Sequence, residues 1–372
     1  MPAMPDHPDR APSAEELEEQ EHDASRNLWH GLISLGGLLI LAVTLLLAVP
    51  GLHGVAREVT HMDVWWLLAG IGLEVLSCVG YILAFLQVFD RTPVRLGARI
   101  ALSELAFGVA VSLGGVGSAA IGTMLLVERG GRPGRVAELS AVLFLLTSAI
   151  NVITLALAGL GLWLGVLPGP RNPLLSLLPG AVGVVVFFGF MALPPLFERY
   201  GNIDAPGKLH LLLRETAITV RQTERLLFSG DWRLIGAFLY LWADIAVLVV
   251  CFAALGRIPP LATIVLAYQI GYLSNILPVP GNVGVLDGSI VGMFVLYGVS
   301  ATSATAAEVV YHAISLWVPA TWGTLAFILL RHTRGQPLTL RPPREERLRI
   351  RERRRRRREL QREAHKEEHL NA

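Results

Sequence analysis

Six apolar runs, near residues 29–50, 64–89, 136–167, 174–197, 233–255 and 303–330, are each long enough to cross about 30 Å of hydrocarbon. Lipid offers a backbone N–H or C=O no hydrogen-bond partner, so runs of this length fold as helices. An all-α, polytopic membrane bundle follows. The rest of the chain agrees: 53% of its residues are hydrophobic and only 17% charged, with a mean hydropathy of +0.52, too apolar for the two or three soluble domains that 372 residues would otherwise suggest. The charges are also segregated. Residues 1–26 form an acidic tail (Glu15, Glu16, Glu18, Glu19, Glu21, Asp23), 27–331 the transmembrane domain, and 332–372 a basic tail with the block Arg353 to Arg358. The acidic start lacks the basic region and apolar core of a cleavable signal, so the first apolar run is expected to stay as an anchor. Cys78 and Cys251 lie inside apolar runs and read as packing residues.

Two further stretches, 99–127 and 259–299, are too long for one simple span and are broken near their middles. The first is interrupted at Gly114, Gly115 and Gly117. The second is interrupted in the string LPVPGNVGVLDG, at Pro278, Pro280, Gly281 and Gly284. A backbone break at bilayer depth survives only where protein or a watered cavity surrounds it, which makes these breaks pointers to a functional site. Arg91, Arg95 and Arg99 precede the first stretch and Arg129, Arg132 and Arg135 follow it. The positive-inside rule therefore places both its flanks in the cytoplasm, while the second stretch, with only Arg257 before it and no Lys or Arg after it until Arg331, suits the opposite face. The expected layout has both termini inside, six full spans and two opposed hairpins, each hairpin followed by one long helix. That is the arrangement of inverted-repeat transporters, whose broken segments meet at the substrate site. The charge rule accommodates either a re-entrant hairpin or a tight transmembrane pair; the short arms Ile100–Leu113 and Ser118–Val127 favour a re-entrant first hairpin. The segment 198–232 is amphipathic, with Leu209, Leu212, Leu213, Ala217, Val220 and Leu227 at near-helical spacing among arginines, and is expected to lie on the inner leaflet.

Ionisable residues inside apolar runs are costly and face a bundle interior or cavity. Here they are Glu74, Glu104, Asp244, Asp287, Glu308 and His312, with Glu138 near a membrane end. In the last span Glu308, Tyr311, His312, Ser315 and Pro319 share one helical face, a stripe that either lines a path or bonds a neighbouring helix. Glu308 and His312 are one turn apart and suited to sharing a proton or pairing as ions. Asp287 follows the hinge that carries Asn282 and falls in a helical first turn, where a carboxylate gains from the helix dipole. Glu74, Ser77, Cys78 and Tyr81 form a second, weaker stripe, and Tyr240 with Asp244 a shorter one. Trp65, Trp66, Trp232 and Trp322 read as interfacial anchors. Gly115, Gly117 and Ala120, with Glu138 further on, match dinucleotide-fingerprint spacing, but that motif needs a preceding strand, and the glycines serve better as a hinge. HExxH, CxxC, Walker and GxSxG signatures are absent from the sequence. No cofactor, metal, nucleic-acid or enzymatic role is expected.

The stretch AYQIGYLSNILPVPGNVGVLDGSIVGMFVLYGVSATSATAAEVVYHAISLWVPATWGTLAFILLR resembles the signature of the lysylphosphatidylglycerol synthase transmembrane, or flippase-like, family: a proline-glycine-glycine hinge, an acidic residue, a Tyr-Arg pair and a Trp-x-Pro. SLGGVGSAAIGTMLLVERG is similar to its first-half counterpart, and the resemblance runs from about Asp63 to Arg331. Relatives usually have arginine in place of His312, often a second glycine in place of Asn282, and more commonly glutamate in place of Asp287. If that arginine grips a lipid phosphate, His312 does so only when protonated. The resemblance implies movement of phospholipids, anionic or aminoacylated, between leaflets. Aminoacyl-transferring members carry a soluble synthase domain after the membrane part, so this chain is expected not to aminoacylate lipid itself.

Together these readings predict a multi-pass plasma-membrane protein passing lipid headgroups through a polar cavity lined by Asn282, Asp287, Glu308, Tyr311, His312, Ser315, Asp244 and Glu104. The alternatives are a proton-coupled transporter of a small solute, and a membrane-embedded scaffold whose basic tail recruits a partner.

Overall fold

A computed structural model describes residues 53–110, 116–129, 131–200, 208–272 and 285–332, together with 33, 36 and 37. Among them the regular structure is helical, with no strand. The helices are α1 (His53–Thr60), α2 (Val64–Val88), α3 (Val94–Ala110), α4 (Val116–Val127), α5 (Pro133–Trp163), α6 (Leu178–Tyr200), α7 (Lys208–Leu227), α8 (Ile235–Ala254), α9 (Leu261–Gly271), α10 (Val285–Leu296) and α11 (Ala301–His332). A π-helical turn, Pro173–Leu177, leads into α6, and a short 3-10 turn, Trp232–Leu234, leads into α8.

Local sequence sets the ends. Asp63 accepts from the Trp65 N–H at 2.9 Å and starts α2, Pro133 occupies the first turn of α5, and Asn172 accepts from the Leu174 N–H at 2.9 Å before α6. Gly256, at φ 70°, and Gly298, at φ 88°, stop α8 and α10 in the left-handed conformation that glycine adopts without strain.

Among the described residues five helical segments are long and apolar enough to cross a membrane: Val64–Val88, Pro133–Trp163, Pro173–Leu196, Trp232–Ala254 and Ala301–His332. They match five of the six runs read from the sequence; the first run lies outside the described residues apart from Ile33, Gly36 and Gly37, which are helical. Each interrupted stretch is a pair of helices packed on one another, α3 with α4 and α9 with α10. The first arm starts at Val94, earlier than the apolar pattern indicates, because Arg95 and Arg99 fit helix as well as they fit a flank. The described parts of the arms hold 17, 12, 11 and 12 residues.

The most extensive contact joins α2 to α8. These two run antiparallel along their whole length. At one end the Asp63 N–H donates to the Ala254 carbonyl at 3.2 Å; midway Ser77 Oγ donates to the Tyr240 carbonyl at 2.9 Å; at the far end Arg233 Nη1 donates to the Leu86 carbonyl at 2.6 Å. Around this pair, α11 packs on α3, and α5 on α9. Four further sets of contacts come in twos: α2 with α3 and α8 with α9, α4 with α5 and α10 with α11, α2 with α5 and α8 with α11, α2 with α11 and α8 with α5; those of α6 and α7 with each other and with α5, and of α1 with α11, have no such counterpart.

The basic flanks gather at one end. Arg129 Nη2 donates to the Leu330 carbonyl at 3.3 Å, tying the end of α4 to the end of α11. Glu138, early in α5, pairs with Arg135 at 2.7 Å and accepts from Gln222 of α7. The amphipathic segment forms α7 as expected, but its buried Ala217, Val220 and Thr223 face α5 and α6. That part of its apolar side is covered by protein instead of by a leaflet.

Candidate functional site

Glycine determines how close α2 and α8 come. A Cβ on Gly80 would overlap the Tyr240 backbone and lie 2.8 Å from the Gly236 carbonyl; one on Gly236 would lie 2.7 Å from the Gly80 carbonyl and Ala84 N. With lipid tails as apolar as leucine, such close packing is what holds membrane helices together. It also forces the polar residues of both helices into one space. Two turns from the glycine contact, Glu74 of α2 comes within hydrogen-bonding reach of Asp244 of α8. Glu74 is 5% exposed and Asp244 8%.

Asp244 is held on its other side by phenols. The hydroxyl of Tyr311, on α11, donates to Asp244 Oδ1 at 3.2 Å and Oδ2 at 3.0 Å, and that of Tyr268, on α9, donates to Oδ2. Tyr272 stacks on Tyr268 with ring centroids 4.5 Å apart and shares a 3.3 Å hydrogen bond with the Tyr311 hydroxyl. Four helices thus converge on one carboxylate, and Tyr272 stands where α9 gives way to the second break. On the other flank Tyr81 packs against Tyr240 at 5.1 Å and donates to Glu104 Oε2 of α3 at 2.9 Å. Glu104 fills the space that a side chain at Gly122 of α4 would need. A polar belt therefore runs from the first hairpin, across the α2–α8 seam, to the second.

Of the sequence-predicted residues, Asp244, Tyr311 and Glu104 belong to this belt. Glu308 is fully buried and lies beside Cys251 of α8; His312 is half-buried one turn on. Ser315 Oγ bonds back to the His312 carbonyl of its own helix, at 3.4 Å, and Pro319 is buried within α11, where it supplies no N–H to the turn before it. Asp287 falls at the start of α10 and Gly117 at the start of α4. Gly114, Gly115, Pro278, Pro280, Gly281, Asn282 and Gly284 lie outside the described residues. Sequence reasoning gave Glu74 too little weight and did not single out Tyr268 and Tyr272. Their signal was available as AYQIGY, two tyrosines one turn apart immediately before the second break. Trp65 and Trp232 are 76% and 69% exposed, as helix-end anchors should be, and Cys78 and Cys251 are buried and free.

Two cavities lie away from the belt. One, of about 60 Å³, is apolar and sits between α5, α6 and α7, lined by Leu145, Phe187 and Met191 among others. The other, of about 250 Å³, lies where α1 meets the end of α8, lined by Arg57, Glu58, His61, Ala254 and Leu255. Among the described residues no group of three or more His, Cys, Asp or Glu is arranged to hold a metal ion.

The family model described as lysylphosphatidylglycerol synthase TM region matches residues 32–323, which takes in every residue of the belt. The chain belongs to that family. A UPF0104 membrane protein of Methanothermobacter thermautotrophicus is 38% identical over 99 residues, 26% of this chain and 28% of that protein, so the chain matches well under half of that relative's length. Membership of the lysylphosphatidylglycerol synthase TM region family, with five long apolar helices, makes this a multi-pass membrane protein in a lipid-handling family.

Proposed function

We propose that the protein passes phospholipid headgroups between leaflets through the centre formed by α2, α8, α9 and α11, and that it prefers headgroups bearing an amine. The observation that carries this reading is Asp244, buried at the meeting of four helices and held by Tyr268 and Tyr311. An acid placed so deep in a membrane bundle is a substrate or ion site by default. Its surroundings favour a cation: α2, α8 and α9 contain no Lys or Arg, and the one arginine of α11, Arg331, is at its far end.

The twofold pattern of helix contacts supports an inverted repeat in which α2 to α5 and α8 to α11 are the two units, and the antiparallel course of α2 and α8 fits their opposite senses. The short apolar arms read from the sequence, Ile100–Leu113 and Ser118–Val127, favour a re-entrant first hairpin, with α3–α4 opening inward and α9–α10 outward. In this reading both termini are cytoplasmic, the membrane is the plasma membrane, and the protein performs no covalent chemistry.

The test is leaflet exchange of acyl-labelled lipid in liposomes containing the purified chain. Wild type should accelerate exchange of an aminoacylated phosphatidylglycerol over phosphatidylglycerol, and Asp244→Asn should abolish the acceleration. Uptake of a small solute without lipid exchange would favour the transporter reading instead. Loss of function on removing Arg353 to Arg358, with Asp244→Asn silent, would favour a scaffold.

A further inference from the structure

The contact between Glu74 and Asp244 has a requirement that neither residue shows alone. An ionised carboxylate only accepts hydrogen bonds, so two carboxyls bonded to one another hold a proton between them. Both Asp244 oxygens are already acceptors, Oδ1 for Tyr311 and Oδ2 for Tyr268 and Tyr311. With both Asp244 oxygens already accepting, the shared proton is assigned to Glu74, which then donates to Asp244. The pair carries one negative charge and one exchangeable proton.

The groups facing this pair do not neutralise it. On α2 they are Cys78 and Tyr81, and on α8 Tyr240 and, further along, Cys251. Tyr268 and Tyr272 come from α9, and Glu308, Tyr311 and His312 from α11. From α3 comes Glu104, whereas α5, which also touches α2 and α8, has its ionisable residues Arg135 and Glu138 confined to its start. His312 is the one basic side chain of this set.

The geometry points to Glu74 as the residue that couples the carrier to protons: an ammonium headgroup binding between Glu74 and Asp244 takes the place of the Glu74 proton, one for one. This rests on the lipid-translocation reading above. The exchange balances. The neutral Glu74 carboxyl and the lipid ammonium give a Glu74 carboxylate paired with that ammonium, and the released proton leaves to the aqueous side to which the site is open. The pair holds one net negative charge before the exchange, on Asp244, and one after it, two carboxylates less one ammonium. Loaded and empty carriers thus present the same charge to the membrane interior, and neither is penalised on electrostatic grounds when the site changes sides. No nucleotide is needed; a pH difference alone drives the lipid, which moves against the protons and gathers on the acidic side.

The experiment uses the full chain in liposomes with acyl-labelled lysylphosphatidylglycerol, an imposed pH difference of one unit, and the membrane potential clamped at zero. One-for-one exchange predicts a steady-state leaflet ratio shifted about tenfold per pH unit, with the label enriched in the leaflet that faces the more acidic solution. Glu74→Gln should lose this shift. In weakly buffered detergent, wild type should release about one proton per lysylphosphatidylglycerol bound and none on addition of phosphatidylglycerol, a readout that requires no variant to fold. Lipid exchange that ignores the pH difference, or binding without proton release, overturns the coupling and leaves the translocation reading standing. Absence of any exchange by wild type overturns both.

Discussion

Two helix seams in this protein are built alike and used differently. In the α2–α8 seam Gly80 and Gly236 bring the backbones together, and in the α5–α6 seam Gly159 does the same against Gly180, whose N lies 2.6 Å from where a Cβ on Gly159 would be. The first seam carries Ser77, Glu74 and Asp244. The second is flanked by apolar side chains, and the outward side of α6 (Val185, Phe188, Leu196) is exposed to lipid. Glycine supplies proximity in both. What differs is the polar load, which in the proposed function makes one seam a site and the other a wall.

The comparison breaks first at its glycines. Gly80→Leu would push α2 off the Tyr240 backbone and should cost about 3 kcal/mol or more, with loss of folded, exchange-competent protein by size-exclusion chromatography. Asp244→Asn should leave the fold close to intact and remove accelerated lipid exchange, the separation of stability from activity that a site predicts. Gly159→Val should behave the other way: a loss of about 2 kcal/mol in thermal unfolding, with exchange retained by the protein that folds. Tyr311→Phe removes one donor to Asp244; it should slow exchange several-fold while costing about 1 kcal/mol, the usual scale of a hydrogen bond between membrane helices.

The smallest effect tests the rim. Burial pushes the Glu128 carboxyl above its ordinary range, against the opposing pull of Arg129 4.0 Å away. A carboxyl raised in the folded state contributes most to stability below its unfolded value, and that contribution is lost as pH rises through the folded value. Glu128→Gln should therefore flatten the stability loss between acid and neutral pH by about 1 kcal/mol, measured as Tm against pH.

Much of the architecture could be read from the chain because apolar length and arginine placement are direct consequences of the membrane as solvent. Val64–Val88, Ile235–Ala254 and Ala301–His332 fall close to the runs that announce them. The site was less legible. The stripe on α11 identified Tyr311, but its partner lies on α8 and the second donor on α9, and helical periodicity says nothing about which faces of different helices meet. Glu74 looked like one residue of a weak stripe until Gly80 and Gly236 set it against Asp244. The covering of α7 by α5 and α6 was missed for the same reason: an amphipathic pattern reports an apolar side, not what covers it.

Because α2 and α8 are tied at both ends, by Asp63 to Ala254 and by Arg233 to Leu86, and pressed together between, they form a strut that resists sliding or splaying. In the proposed translocation, alternating access then belongs to the parts hung on that strut, the two hairpins and the long helices that follow them, turning about an axle that itself stays put.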